Sequence, residues 1–153
     1  MTAGPMRDIE RELVVLVRRV RRTTAENARR LHPDLQPSAY PVLVHIADRE
    51  PTRACEVVDQ VGMEKGGVSR QVAHLEQLGL VRRSSDPADR RAQTLVLTED
   101  GRARLERLTG QRRTDFEKRL SAWSPGELAS FAEQLARYNA CLEPERERVS
   151  TTS

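Results

Sequence analysis

The sequence predicts a mainly α-helical chain with one small β-hairpin, and three observations carry that prediction. Apolar residues recur at helical spacing near both ends and in the middle of the chain. Only the stretch from Leu80 to Leu97 departs from this, as two short strand-like runs around a turn rich in Ser, Asp and Arg. Directly before it stand two short helical segments separated by Gly62, the second one closed by Gly79.

Taken in order, Ile9, Leu13, Leu16 and Val20 step by four, three and four, a seam suited to packing helix on helix. A helix from Ser38 to about Asp48 follows, with Ser38 as N-cap and Pro41 at the third helical position, where its missing N–H costs nothing. Val42, Leu43 and Ile46 then face the core, and Pro51-Thr52 marks the break. Ala54–Val61 is a supporting helix, and Gly62 turns the chain. The second helix of the pair runs from Lys65 to about Leu78. Val68, Val72, Leu75 and Leu78 form its buried stripe, while Lys65, Ser69, Arg70, Gln71 and His74 lie on the other face. Leu80–Arg83 and Ala92–Leu97 are the strands of a basic hairpin, with Ser84–Arg91 as its turn. Thr98 caps the next helix, which reaches about Ser121 with Leu105, Leu108, Phe116 and Leu120 inward. Ser124-Pro125-Gly126-Glu127 is a capping box that opens the last helix, whose seam is Leu128, Phe131, Leu135, Tyr138 and Leu142. A helix-turn-helix followed by such a hairpin is a winged helix. The expected organisation is an N-terminal dimerisation helix (1–34), a winged helix-turn-helix (35–100), C-terminal dimerisation helices (101–145) and a disordered tail (146–153).

A helix with one buried stripe and one polar face suits a DNA major groove. Ser69, Arg70 and Gln71 are candidates for base edges, with His74 further along. Lys65 and the Gly66–Gly67 amides are placed for phosphate at the helix start.

The motif Asp89-x-Arg91, five residues, then Leu97-Thr98 and Gly101, with Leu75-Glu76 and Gly79-Leu80-Val81 upstream, resembles the MarR family of bacterial transcription regulators. The resemblance extends over nearly the whole chain. Glu64 and Gly66-Gly67 depart from the commoner N-cap and Pro/Ser/Thr pair. The resemblance implies a homodimer whose terminal helices interlock, bound to a pseudo-palindromic double-stranded DNA site. It implies that Arg91 enters a minor groove, that Asp89 orients it by an ion pair, and that Arg90 touches phosphate. It further implies a repressor released by a small aromatic or phenolic effector, with His32, Tyr40 and His45 as the polar groups near the ligand cleft.

Composition agrees with a nucleic-acid partner: net charge is +3, with 26 Lys and Arg against 23 Asp and Glu. No cofactor or metal is expected, since His32, His45 and His74 have no zinc spacing, and no phosphate loop, nucleophile elbow or Cys-x-x-Cys argues for an enzyme. No apolar run could cross a membrane and no secretory signal is present, so a cytoplasmic protein with reduced thiols is expected. Two other readings stay open: a redox-responsive regulator acting through Cys55 or Cys141, and a ligand-free architectural DNA-binding protein. Cys55 is expected to be a small buried hydrophobe.

Overall fold

A computed structural model describes residues 3–86 and 88–142. The expected tail at 146–153 lies outside them. Among the described residues, six helices and one hairpin appear in the order α1 (Ala3–Leu31), α2 (Ala39–Arg49), α3 (Ala54–Val61), α4 (Lys65–Gln77), β1 (Val81–Ser85), β2 (Gln93–Leu97), α5 (Glu99–Arg119) and α6 (Pro125–Leu142). The predicted class, mainly α with a small β-wing, is the observed one. Two compact units are present, Met1–Gln111 and Arg112–Ser153.

In the first unit, α2 is the hub, touching α1, α3, α4 and β2. Its Val42, Leu43 and Ile46 are fully buried, and Val57 of α3, Val68, Val72 and Leu75 of α4, and Leu95 of β2 close around them. The last turns of α1 belong to this core through Ala28 and Leu31, and Leu108 of α5 is 2% exposed. Ser38 precedes α2 but makes no side-chain cap; the Ala39 and Tyr40 amides are met instead by the Gln36 and Pro37 carbonyls. Gly62 (φ 68°) ends α3 in the left-handed region, as predicted.

The end of α4 is built more tightly. Gly79 (φ 70°) lets the Leu80 amide reach the Leu75 carbonyl and the Gly79 amide reach the Glu76 carbonyl, both at 3.0 Å. This is a Schellman ending, and it packs Leu80 near Leu75, both fully buried. Thr98 then locks the junction. Its Oγ1 donates to the Gly79 carbonyl (2.6 Å) and accepts from the Gly101 amide (3.0 Å), while its own amide meets the Leu80 carbonyl (3.0 Å). One residue thus caps α5 and ties it to the last turn of α4 and the start of the wing.

The strands pair antiparallel, Val81 opposite Leu97 and Ser85 opposite Gln93. Thr52, 1% exposed, adds a one-residue bridge on the other side of β2 by exchanging both backbone bonds with Leu95. Glu50 accepts the Leu97 amide (2.8 Å) and pairs with Arg102 of α5.

In the second unit, Ser124 and Glu127 form the predicted capping box, with amide-to-side-chain bonds of 2.8 and 3.3 Å. Trp123 meets Phe131 edge to face at 5.5 Å. The expectation that Phe116 points inward is corrected: it is 64% exposed, and Leu120 is half-buried.

Candidate nucleic-acid interface

A turn of 3.6 residues puts Gly66, Ser69, Arg70, Ala73 and Gln77 of α4 on one side, and all five are exposed. This is the face opposite Val68, Val72 and Leu75. Ala73 and Gln77 are not among the residues that the sequence places on this face; their helical position is the only signal for them.

Two residues predicted for this face do not lie on it. Gln71 lies beside Leu75 on the helical wheel, at the edge of the buried stripe, and its Oε1 is buried without a hydrogen-bond partner. His74 is half-buried, and its Nε2 accepts the Gln36 amide (3.2 Å). It therefore braces α4 against the α1–α2 connection instead of reaching out.

Lys65 is exposed at the first position of α4, after Glu64, which makes no side-chain cap. The opening amides of the helix carry a partial positive charge that no side chain of the N-cap residue meets. Gly66 and Gly67 have room for a Cβ; the Arg70 guanidinium would lie 3.7 Å from one added at Gly66 and 4.0 Å from one at Gly67, where Met63 Cβ is at 3.9 Å. Arg70 thus folds back along the bare first turn of the helix.

At the wing, Arg90 and Arg91 are exposed, and neither guanidinium has a carboxylate partner among the described residues. The expected Asp89–Arg91 ion pair is absent. Asp89 Oδ1 instead accepts the Arg91 amide (3.0 Å), and the Asp89 carbonyl accepts the Ala92 amide (2.9 Å). The carboxylate shapes the turn that carries Arg91 and leaves the guanidinium uncommitted. Arg83 pairs with Glu76 of α4 (3.1 Å).

The outer end of the wing is held from the residue that precedes α3. Arg53 directs Nε (3.1 Å) and an Nη (2.6 Å) to Asp86 Oδ2, and Asp86 Oδ1 accepts the Ala88 amide (2.8 Å). These bonds, the Arg53 one first, hold the Asp86 carboxyl below the usual aspartate range. Nothing in the sequence pairs two residues so far apart.

Glu56 Oε2 accepts the Arg53 amide (2.7 Å) and the Thr52 hydroxyl (2.8 Å), which lowers its pKa from the ordinary 4.5. A depressed carboxylate pKa stabilises the fold fully above the unfolded value and less as pH falls through the folded one. Urea midpoints should therefore drop below about pH 4.5, and Glu56→Gln should show a shallower drop. Parallel pH profiles for the two proteins would discount Glu56 as a source.

The three residues expected around a ligand do not converge. Tyr40 is 5% exposed within the core, and His32 Nδ1 accepts the Asp34 amide (3.1 Å). His45 borders a cleft of about 330 Å³ with Arg49, Thr52, Glu56, Asp59 and Gln60. Cys55 is exposed, not buried, because it lies opposite Val57 and Val61 on α3; Cys141 is exposed as well. Among the described residues no helix is long and apolar enough to cross a membrane.

Comparison with known proteins agrees with this geometry. Residues 34–92 match the MarR family. The HTH-type transcriptional regulator YxaD of Bacillus subtilis is 30% identical over 136 residues, covering 89% of this chain and 94% of that protein. Among solved structures, FabT of Streptococcus pneumoniae in complex with DNA superposes with a TM-score of 0.75 at 23% identity, covering 90% of this chain and 97% of FabT. A Listeria monocytogenes regulator complexed with a 26mer DNA gives 0.70 at 17% identity, covering 86% of each chain. The Asp89-x-Arg91 turn, the Thr98–Gly101 junction and the relationship to YxaD together show that this chain belongs to the MarR family of winged helix-turn-helix transcription regulators.

Proposed function

We propose that the protein is a dimeric, sequence-specific DNA-binding regulator, a repressor released from a pseudo-palindromic operator by a small aromatic or phenolic ligand. The observation that carries this reading is the exposed face of α4 beside a wing whose Arg90 and Arg91 are exposed and have no acidic partner among the described residues. Both FabT and the Listeria regulator were solved on DNA. Two such subunits would set their α4 helices roughly 34 Å apart, one helical turn of DNA. Ser69 and Arg70, with Ala73 and Gln77, are the residues for base edges. Lys65 and the Gly66–Gly67 amides are the groups for phosphate, and Arg91 is the one for the minor groove.

Dimerisation is supported by apolar side chains left exposed at both ends. Ile9, Leu16 and Val20 on α1 are 46–53% exposed, and Phe131, Leu135 and Leu142 on α6 are 38–62% exposed. The predicted Leu13, Leu128 and Tyr138 are half-buried beside them. A second subunit would cover each of these helix faces. Leu135→Glu would leave a charge unpaired in the seam and should dissociate the dimer. Sedimentation at micromolar concentration reads this, and a monomeric wild type overturns the dimer.

Binding-site selection from random DNA tests the central reading. A regulator enriches a two-fold symmetric site; an architectural protein enriches none. On the selected site, Arg70→Ala should cost about 1–3 kcal/mol and relax one base position per half-site. Lys65→Ala should weaken all sequences alike and lower the salt slope by about one. Equal loss on specific and random DNA for both variants would remove base reading from α4. For the effector, a phenolic carboxylate should release the operator only if it binds the released dimer more tightly than the DNA-bound form.

A further inference from the structure

We infer that Arg53 and Asp86 are positioning residues for DNA recognition: their ion pair fixes the wing to the supporting helix, so that the arginines of the turn arrive in register with α4. The inference rests on the DNA-binding reading above and adds to it two residues that lie off the exposed face of α4 and are not among those proposed to touch DNA.

The wing is a two-stranded hairpin, and such a hairpin has little stability of its own. Its inner half is held by burial of Leu95 and Leu97 and by the Thr52 bridge. Beyond Ser85 the ladder ends, apart from one bond from the Asp86 amide to the Ala92 carbonyl (3.0 Å). The turn that carries Arg90 and Arg91 thus lies outside the packed part. Asp86 sits where the ladder stops, and its two carboxylate oxygens do different work. Oδ1 closes the turn on the Ala88 amide, and Oδ2 receives the Arg53 fork. The Asp86 side chain is 13% exposed and that of Arg53 is 45% exposed, so the carboxylate end is shielded from solvent. Arg53 is itself fixed, because its amide is held by Glu56 and the preceding Thr52 is paired to β2. A cation on a rigid helix start therefore grips the outer end of an otherwise cantilevered hairpin. Arg83–Glu76 ties the wing's first strand to α4. The two pairs attach the wing to both helices of the helix-turn-helix.

Charge sign separates this role from simple electrostatics. Asp86→Asn removes an anion near the DNA-facing side. If Asp86 were only a surface charge, its loss would tighten binding to every DNA. If it positions the wing, its loss weakens the operator, because Asn keeps an oxygen for the Ala88 amide and loses the ionic partner of Arg53.

The experiment measures binding of the full-length protein to the selected site and to a site altered only at its outer base pairs. Wild type should discriminate between them. Asp86→Asn and Arg53→Gln should each bind the selected site about tenfold more weakly and lose most of that discrimination, while keeping preference at the positions read by α4. The double exchange Arg53→Asp with Asp86→Arg should recover discrimination lost in the single changes. Hydrogen exchange should quicken at residues 88–92 in the single variants, with the urea midpoint little changed. Asp86→Asn binding as tightly as wild type or tighter, with outer discrimination intact, overturns the inference. A wild type without outer discrimination overturns the wing's role in reading DNA, and the two failures are thereby told apart.

Discussion

Gly101→Ala should unfold the junction between α4, the wing and α5, although alanine is the better helix former. A Cβ on Gly101 would stand 2.1 Å from the Leu80 carbonyl oxygen, 2.9 Å from its carbon and 3.1 Å from the Leu80 Cα. All three atoms are backbone. Leu80 cannot retreat, because its amide and carbonyl are both bonded and its side chain is fully buried. Replacing a helical glycine by alanine ordinarily gains up to about 1 kcal/mol. Overpacking against fixed backbone costs about 3 kcal/mol, at the upper end of such effects. The clash wins, and the urea midpoint should fall accordingly. Gly110 of α5 supplies the control, since a Cβ there meets nothing within 4 Å. Gly110→Ala should leave stability unchanged or raise it. A Gly101→Ala protein as stable as wild type would show that Leu80 and α5 can separate without penalty. It would also remove the physical reason for a glycine three residues after Thr98.

The elements were legible because each has a local cause. The stripe of Val68, Val72 and Leu75, the left-handed Gly62 and Gly79, the Thr98 cap and the Ser124–Glu127 box are short-range effects, and all were readable within a few residues. The candidate site was legible only in part, because its remainder depends on distant partners. Gln71 and His74 are polar, so polarity placed them outside; the burial of the Gln71 Oε1 and the bond from the Gln36 amide to His74 place them inward. Asp89 and Arg91 stand two apart in a turn, which suggests a pair, yet the short Asp side chain reaches the nearer backbone amide first. The Arg53–Asp86 bond spans 33 positions, and the Thr52–Leu95 bridge 43, so no local pattern foretells either. Phe116 shows the limit of periodicity: it lies in step with Leu105 and Leu108, but no neighbour covers it.

Arg91→Ala should weaken operator binding by about 10- to 100-fold, which is roughly 1.4–2.8 kcal/mol, while fold and assembly stay intact. The guanidinium is exposed and holds no carboxylate among the described residues, so its removal breaks nothing in the free protein. On DNA the same freedom lets it enter a groove. A narrow A·T-rich minor groove has enhanced negative potential and attracts an inserted arginine. The operator should therefore favour A·T pairs at its outer edges, and Arg91→Ala should erase that preference. Asp89 separates two ways of holding the arginine. Its Oδ1 accepts the Arg91 amide, a bond that Asn can replace and Ala cannot. Asp89→Asn should thus bind nearly as wild type, whereas Asp89→Ala should lose part of the outer preference. An ion pair with the guanidinium would make both substitutions equally harmful. Binding curves on the selected site and on its G·C-edged counterpart, at one physiological salt concentration, decide among these outcomes. Arg91→Ala bound as tightly as wild type would reduce the wing to a passive hairpin and leave α4 as the sole reader.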